Sequence, residues 1–346
     1  MKQTFKSAPQ NKRLTISQLA ARLDLSTATV SLALRNSQVV AKTTRERVQE
    51  AARDQGYIYN RSAASLRTAR TNLVGVTVHD IINPYFAEIF LALEQQFDRQ
   101  NRTILVSTHH DDLERQRTFV DALLQQRADG LAICPSVGTS DEDIALLRSS
   151  GTPVVLICRD LPEIDLPAVL GDDHTGAKMV ADHLISQGHK RIAMVGGRRG
   201  SSSGRYRYAG YATALTEADI EVDGQLDFPE LMTQGEGHDI VPAVLALSPR
   251  PTAIMCYNDV VALGVMSGLR RAGIEPGSEI AVSGYDNIEA AEFVSPSLTS
   301  VDVDPHEIGA RAAQLLQAQI AGEEVAAEAV RVAPQLRIRE STQPHK

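Results

Sequence analysis

Apolar side chains at helical spacing mark the beginning of the chain. In TISQLAARLDLSTATVSLAL, residues 15–34, two sets of apolar positions recur every three or four residues: Ile16, Leu19, Ala20 and Leu23, then Val30, Ala33 and Leu34. This spacing predicts two short helices that share one apolar contact. The residues between the two sets predict a turn, with Ser26 as the N-cap of the second helix.

A third helix is predicted in TTRERVQEAARDQGY, with Val48, Ala51 and Ala52 on its inner face. Three such helices are enough to bury a small core. On the outer side of the second helix, small side chains would allow close approach to a DNA groove, as a recognition helix requires: Thr27, Ala28, Thr29, Ser31 and Leu32. An ordinary helical hairpin is the alternative interpretation of this pattern.

From Thr71 onward the pattern changes to short apolar runs that end in turn residues and alternate with helical stretches. The first set of runs is NLVGVTVHD, RTILVST, ADGLAICPS and TPVVLICRD, and a second set is KRIAMVGG, PTAIMCYND and EIAVSGYDN. Runs of this kind, alternating with helices, are typical of parallel α/β sheets. The chain therefore combines an all-α N-terminal part with a larger α/β part.

Charge divides the chain at the same place. Residues 1–70 contain 13 Lys or Arg and 4 Asp or Glu, a balance of +9, whereas the remaining residues have a balance of −17. A basic module suits contact with phosphates, and an acidic body is repelled by nucleic acid. No apolar run is long enough to span a membrane, and the three cysteines show no paired spacing, so we expect a cytoplasmic protein without disulfides.

The stretch TISQLAARLDLSTATVSLALRNSQVVAKTTRERVQEAARDQGYIYNRSAASLRTART resembles the N-terminal module of the LacI/GalR family of bacterial transcription regulators. The similarity continues over nearly the whole chain. It implies a helix-turn-helix domain, a hinge helix and a two-lobed, periplasmic-binding-protein-like α/β domain that closes over a small molecule. Leu32 stands where the family often has Arg, which could pair with guanine, so the resemblance does not predict the operator sequence.

The resemblance implies a domain layout and a DNA-contacting set. The domains are 1–57 for DNA binding, 58–70 for the hinge, 71–340 for the two lobes and 341–346 for a tail, with lobes of 71–171 plus 302–328 and 172–301 plus 329–340. A flexible tether is the alternative for the hinge. Besides the outer residues of the second helix, the expected DNA contacts are Thr15, Ser26, Asn60, Ala63, Leu66 and Arg67.

Ligands in open α/β sheets bind beyond the carboxyl ends of the strands. There, the resemblance implies an effector pocket with a carboxylate, an amide and a guanidinium, which suits a sugar or a related polar metabolite. The expected lining is Tyr85, Phe86, Ile89, Cys134, Cys158, Arg207, Met232, Asn258 and Asp286. Cys158 replaces a common Asp and Met232 a common aromatic residue. A less polar or phosphorylated effector therefore stays open, the latter if Arg198, Arg199 or Arg205 faces inward.

Other motifs indicate no second chemistry. GGRRGSSSG lacks the Lys-Ser/Thr ending of a P-loop, and HHDD, residues 109–112, is interpreted as a solvated strand end without metal. We predict no catalytic residue, metal or cofactor. Two hypotheses follow: a homodimeric repressor of double-stranded operator DNA controlled by a small-molecule effector, with no membrane partner, or a cytoplasmic sugar-binding or sugar-processing protein whose basic N-terminus is only a tether.

Leu66→Ala tests the hinge. In the family the hinge leucine is expected to wedge into the minor groove at the operator centre, and such a wedge kinks the duplex. The substitution should lower affinity for a palindromic operator at least tenfold and leave salt-driven binding to random DNA nearly unchanged. Fluorescence anisotropy on both DNAs at matched ionic strength measures this difference, and an equal loss on both would contradict the hinge assignment.

Overall fold

The computed structural model describes residues 14–57 and 70–343, which form two compact units divided after Thr71. The described residues of the first unit form three helices. Thr15 begins the first helix with a capping box closed by Gln18, and Ser26 begins the second by accepting a hydrogen bond from the Thr29 amide, as predicted. The helices are α1 (Ile16–Leu23), α2 (Thr27–Leu34) and α3 (Lys42–Asp54).

The core of this unit is built from the predicted apolar positions. Leu19, Val30, Ala33 and Val48 are completely buried. Ser31 is also buried, with 3% of its surface exposed, so the prediction that it lies on the outer side of α2 is wrong. Leu32 is partly buried against the same core. Thr27 and Ala28 do remain exposed, and Thr29 is half-buried.

The described residues of the second unit, 72–343, form an α/β structure with one parallel sheet in each lobe and a separate two-stranded antiparallel sheet. The sheet of the first lobe has the order β11-β5-β4-β3-β1-β2, with every neighbouring pair parallel. Its strands are β1 (Leu73–Val78), β2 (Thr103–Thr108), β3 (Gly130–Ile133), β4 (Val154–Ile157), β5 (Ala168–Gly171) and β11 (Ala329–Val332). The helices between them are α4 (Pro84–Asp98), α5 (Leu113–Gln125) and α6 (Asp141–Ser150), and α13 (Pro305–Ala321) packs on α4.

The sheet of the second lobe is smaller, with four parallel strands in the order β7-β6-β8-β9. These are β6 (Ile192–Val195), β7 (Asp227–Phe228), β8 (Ala253–Cys256) and β9 (Ala281–Ser283). Its helices are α7 (Asp173–Ser186), α8 (Ser202–Glu217), α9 (Gln234–Asp239), α10 (Val241–Leu245), α11 (Asp259–Arg271) and α12 (Glu289–Phe293). All seven apolar runs in the sequence are confirmed as strands.

The chain passes between the lobes three times within residues 72–343. It leaves the first lobe after Gly171, returns after Asp302 and leaves again after Val332. An antiparallel pair, β10 (Ser300–Asp302) and β12 (Gln335–Arg337), holds the last two crossings together. The predicted boundary at residue 328 is wrong, because β11 pairs in register with β5 and therefore belongs to the first lobe.

Helices α7 and α8 of the second lobe approach each other closely at Gly210. A Cβ atom at this position would lie 2.2 Å from the carbonyl oxygen of His174 and 2.9 Å from the amide nitrogen of Lys178. Backbone atoms cannot move aside as a side chain can. The packing of these two helices therefore requires glycine here.

Gly210→Ala should lower the free energy of unfolding by about 1–3 kcal/mol, the usual cost of overpacking. The matched control is Gly224→Ala, because a Cβ there meets nothing within 4 Å. Denaturant unfolding followed by circular dichroism measures both variants. Equal stability of the two variants would show that α7 and α8 can separate without cost.

Candidate functional site

A cavity of about 500 Å³ lies between the lobes, at the carboxyl ends of strands from both sheets. This position follows from the parallel topology, in which strand ends and helix starts collect at one edge. The first lobe contributes His79, Asp80, Ile82, Asn83, Pro84, Tyr85, Phe86, His110, Cys158 and Arg159. The second lobe contributes Arg198, Ser203, Arg207, Met232, Thr233, Gln234, Glu236, Tyr257, Asn258, Val260, Leu263, Asp286 and Ile288.

Arg207 on α8 is the most constrained charge in the cavity. Its Nε donates to Asp173 Oδ1 at 2.8 Å, its Nη1 donates to the Tyr257 carbonyl oxygen at 2.7 Å, and its Nη2 lies 3.3 Å from Asp286 Oδ1. The guanidinium also stacks on Tyr285, 3.6 Å from the ring centroid. Bonds and stacking together fix the plane of this group, so it presents a fixed direction to a ligand.

Asp286 follows β9 and is held by a left-handed backbone with φ of 96°. The residue is 4% exposed, and Oδ1 accepts no hydrogen bond within the described structure, while Oδ2 accepts only a long one, 3.4 Å, from Asn83. Burial raises the pKa of this carboxyl to about 6, although the charge of Arg207 acts in the opposite direction. A ligand hydroxyl or amine would supply the missing donor.

Asn258 is the N-cap of α11, and its Oδ1 accepts a hydrogen bond from the Val261 amide at 3.0 Å. This bond fixes the side chain and leaves its NH₂ group as the donor for a ligand. Beside it, the Tyr257 hydroxyl is 3.0 Å from Ser203 Oγ. The same neighbourhood thus offers a carboxylate, an amide, a guanidinium and hydroxyl groups.

Seven of the nine predicted effector residues line the cavity: Tyr85, Phe86, Cys158, Arg207, Met232, Asn258 and Asp286. Ile89 and Cys134 do not, which corrects the prediction. Ile89 lies one turn beyond Phe86 on α4 and is completely buried in the core. Cys134 directly follows β3 and is likewise buried, with its carbonyl oxygen 2.9 Å from His109 Nε2.

Residues that the sequence analysis did not select also line the cavity: His79, Asn83, Arg159 and Tyr257. Arg198, one of the three arginines considered there as inward-facing, lines it as well. Each stands within a few residues of a strand's carboxyl end, so position alone could have suggested them. Tyr257 and Arg159 are direct neighbours of predicted residues. The family resemblance pointed only to the positions that contact the effector in the family, and these adjacent side chains are not among them.

His109 and Asp111 are buried, so the expectation of a solvated strand end at HHDD is wrong for these two residues. With His79 they form a cluster whose ligand-type atoms lie within 4.8 Å of one another. His109 Nδ1 accepts from the Asp111 amide at 3.0 Å, so Nε2 carries the proton that is donated to Cys134. Arg159 and Arg198 approach the carboxylate of Asp111. Both ring nitrogens of His109 are occupied by hydrogen bonds and two cations lie beside Asp111, which makes this cluster unsuited to a metal ion.

The predicted DNA-contacting residues divide into two groups. In the described helices, Thr15, Ser26, Thr27 and Ala28 are exposed. The hinge residues Asn60, Ala63, Leu66 and Arg67 lie outside the described residues. In the described part of the chain, no helix has the length and apolar character needed to cross a membrane.

A helix-turn-helix unit followed by a two-lobed α/β unit with a polar cavity defines the class of ligand-responsive DNA-binding regulators. Comparisons agree with this class. Residues 15–60 match the family described as bacterial regulatory proteins, lacI family, and residues 181–342 match the periplasmic binding protein-like domain.

Among curated relatives, the HTH-type transcriptional repressor CytR of Escherichia coli (strain K12) is 32% identical over 338 residues, which cover 98% of this chain and 99% of that protein. The structure of the Lac repressor dimer bound to operator and the anti-inducer ONPF superposes with a TM-score of 0.83 at 26% identity, over 96% of this chain and 100% of that chain. A complex of the transcriptional regulator CelR with cellobiose gives a TM-score of 0.72 at 28% identity, over 95% and 100%.

This chain therefore belongs to the LacI family. It is a DNA-binding transcriptional regulator and not an enzyme.

Asp286→Asn tests the electrostatics of the cavity. The folded pKa of about 6 lies above the usual 3.8, so the folded state binds this proton more tightly and stability falls as pH rises through that window. Relative to the variant, the wild type should lose at most about 3 kcal/mol of unfolding free energy between about pH 4 and pH 7. Urea unfolding of both proteins across this pH range measures the loss. If the difference in unfolding free energy between wild type and variant did not change with pH, Asp286 would be ionised throughout.

Proposed function

We propose that the protein is a cytoplasmic, homodimeric repressor that binds a palindromic operator and responds to a small, carbohydrate-like effector in the inter-lobe cavity. The observation that carries the effector assignment is the convergence of Arg207, Asn258 and Asp286 on one cavity wall. Fixed donors and an under-bonded carboxylate suit neighbouring hydroxyl groups of a sugar ring. The solved relatives bound to cellobiose and to ribose support this ligand class.

For DNA binding we propose the exposed surface at the start of α2, with Thr27, Ala28 and Thr29 facing the major groove. Ser26 and Thr15 cap the two helices, and each stands where a hydroxyl or helix N-terminus also suits phosphate contact. Ser31 is withdrawn from this set because it is buried. Asn60, Ala63, Leu66 and Arg67 remain the proposed hinge contacts.

The two-fold symmetry of a dimer matches the symmetry of a palindromic operator. One recognition helix reads only a few base pairs, so two copies are required to cover two half-sites with useful specificity. The Lac repressor relative is a dimer on its operator. We propose the same arrangement here, in which each copy contributes one helix-turn-helix unit.

Control by the effector requires that the ligand bind one arrangement of the lobes more tightly than the other. Both lobes supply cavity residues, so closing the cavity around a ligand changes the relation between the lobes. Asn83 of the first lobe already approaches Asp286 of the second. A ligand that joins these two residues would favour the closed arrangement.

Operator anisotropy in the presence and absence of candidate sugars tests the function. Arg207→Ala should abolish the effector response and preserve operator affinity without effector, because Arg207 belongs to the cavity. Arg205→Ala is the matched control, since this residue lies on the same helix and is exposed.

Asp286→Asn gives a second, isosteric test if Arg207→Ala unfolds, and it should weaken the effector response at least tenfold. A wild-type midpoint in both cavity variants would contradict the proposed site. Failure of the wild type to distinguish a palindromic operator from random DNA would contradict the function itself.

A further inference from the structure

Three arginines surround the loop that follows β6, and only Arg198 among them lines the cavity. Arg199 pairs with Asp227 and lies over the ring of Tyr208, 4.3 Å from its centroid. Arg205 donates to the Gly200 carbonyl oxygen at 3.0 Å and is exposed. The inward-facing arginine of this loop is therefore Arg198.

Arg198 lies in a part of the cavity where several donor or cationic side chains come together, and this part is called the corner. His79, His110 and Arg159 line the same corner. They belong together because Arg159, Arg198 and His79 all approach Asp111, and the rings of His79 and His110 lie 6.2 Å apart. Asp111 itself is beneath this surface, with no exposed side-chain area.

The corner carries an excess of positive charge. Asp111 is shared between two guanidiniums, and its oxygens also accept from the Val137 amide. Arg159 lies closer to the Asp111 carboxylate than Arg198 does, and it also donates to the Pro135 carbonyl oxygen at 3.1 Å. Arg198 is left with a Nε that is 3.4 Å from Asp111 Oδ2, buried, and without a hydrogen bond. One carboxylate therefore balances two cations.

The other carboxylates that line the cavity are already engaged. Asp286 faces Arg207, and Asp80 accepts from the Ile82 amide at 2.9 Å. Glu236 accepts three hydrogen bonds of 2.8 Å, from the amides of Met232 and Thr233 and from the Thr233 hydroxyl. These bonds hold Glu236 in the capping box of α9. Although burial acts in the opposite direction, the charge of Arg198 contributes to the lowered pKa of Glu236. Among the described residues, however, only Asp111 lies within ion-pair distance of Arg198, and the buried Nε of Arg198 remains without an acceptor.

His79 gives a second, independent indication of a ligand. Its residue surface is 8% exposed, and its Nδ1 faces Asp111 at 3.3 Å without a hydrogen bond of acceptable geometry. Because the two ring nitrogens point in different directions, Nε2 is directed away from Asp111. When Nε2 carries a proton, it can donate a hydrogen bond to an anion on that side of the ring.

We propose that the effector carries an anionic group, phosphoryl or carboxylate, that binds Arg198 and His79, while its hydroxyl groups bind Asp286 and Asn258. This inference rests on the proposed function of the cavity. Arg198 comes from the second lobe and His79 from the first, so the anion would connect the lobes. An anionic effector is thus recognised at the same contact that closes the cavity.

Inorganic phosphate and sodium acetate, used alone, test the anionic subsite on the full chain. Differential scanning calorimetry in each anion is compared with sodium chloride at equal ionic strength. Phosphate or acetate should raise the unfolding midpoint of the wild type, because a ligand that binds only the folded state stabilises it. Whichever anion raises it more identifies the phosphoryl or the carboxylate form.

Arg198→Ala should weaken the binding of that anion at least tenfold, and Arg198→Lys, which keeps a charge, should restore part of it. Arg199→Ala is the matched control from the same loop and should behave as the wild type. An equal rise in the midpoint for the wild type and Arg198→Ala, or no rise above chloride in the wild type, would overturn the proposal.

Operator anisotropy without any small molecule separates this proposal from the proposed function. The wild type and the Arg199→Ala control should both prefer a palindromic operator to random DNA, and loss of that preference in the wild type would contradict the proposed function without bearing on the anion measurements. A neutral sugar that shifts operator binding of the wild type at lower concentration than its phosphorylated or carboxylated form would overturn the anionic subsite and leave the proposed function intact.

Discussion

The ion cluster of Arg207 is the interaction on which the cavity depends. A guanidinium removed from water costs several kcal/mol unless its charge and its donors are satisfied. Asp173, Asp286 and the Tyr257 carbonyl satisfy it, and each follows a different strand. The cluster therefore forms only when these strand ends meet in the correct register. In the formed cluster, the Asp286 carboxylate has too few hydrogen-bond donors, and a polar ligand can supply them.

Most of the α/β fold was predictable because its strands are continuous apolar runs. Ala329–Val332, one of the strands that were missed, lies at a sheet edge, where alternate residues are exposed and the apolar signal is weak. The same weakness explains the misplaced lobe boundary. In α2 the reverse difficulty arises, since apolar residues occur on several sides of the helix and the pattern does not define which face is buried. Ser31 was misplaced for that reason.

In the cavity, sequence position identified the strand ends but not the direction of each side chain. Cys134 and Cys158 both follow neighbouring strands, yet only Cys158 lines the cavity, where it has a left-handed backbone with φ of 61°. Phe86 and Ile89 share a helix face, and their distance from the helix start decides which of them meets the cavity and which the core. Such differences depend on local backbone angles and on depth, which residue spacing does not encode.

Strand β1 has a particular place in this architecture. It is paired on both sides, with β2 and β3, and its six residues span about 20 Å. At one end it continues directly from residue 72, where the second unit begins, and at the other it leads into His79 and the cavity. A strand hydrogen-bonded on both sides deforms less easily than a loop. Strand β1 therefore joins His79 of the cavity to the first residues of the second unit through one short segment of continuously paired backbone, with no loop between them.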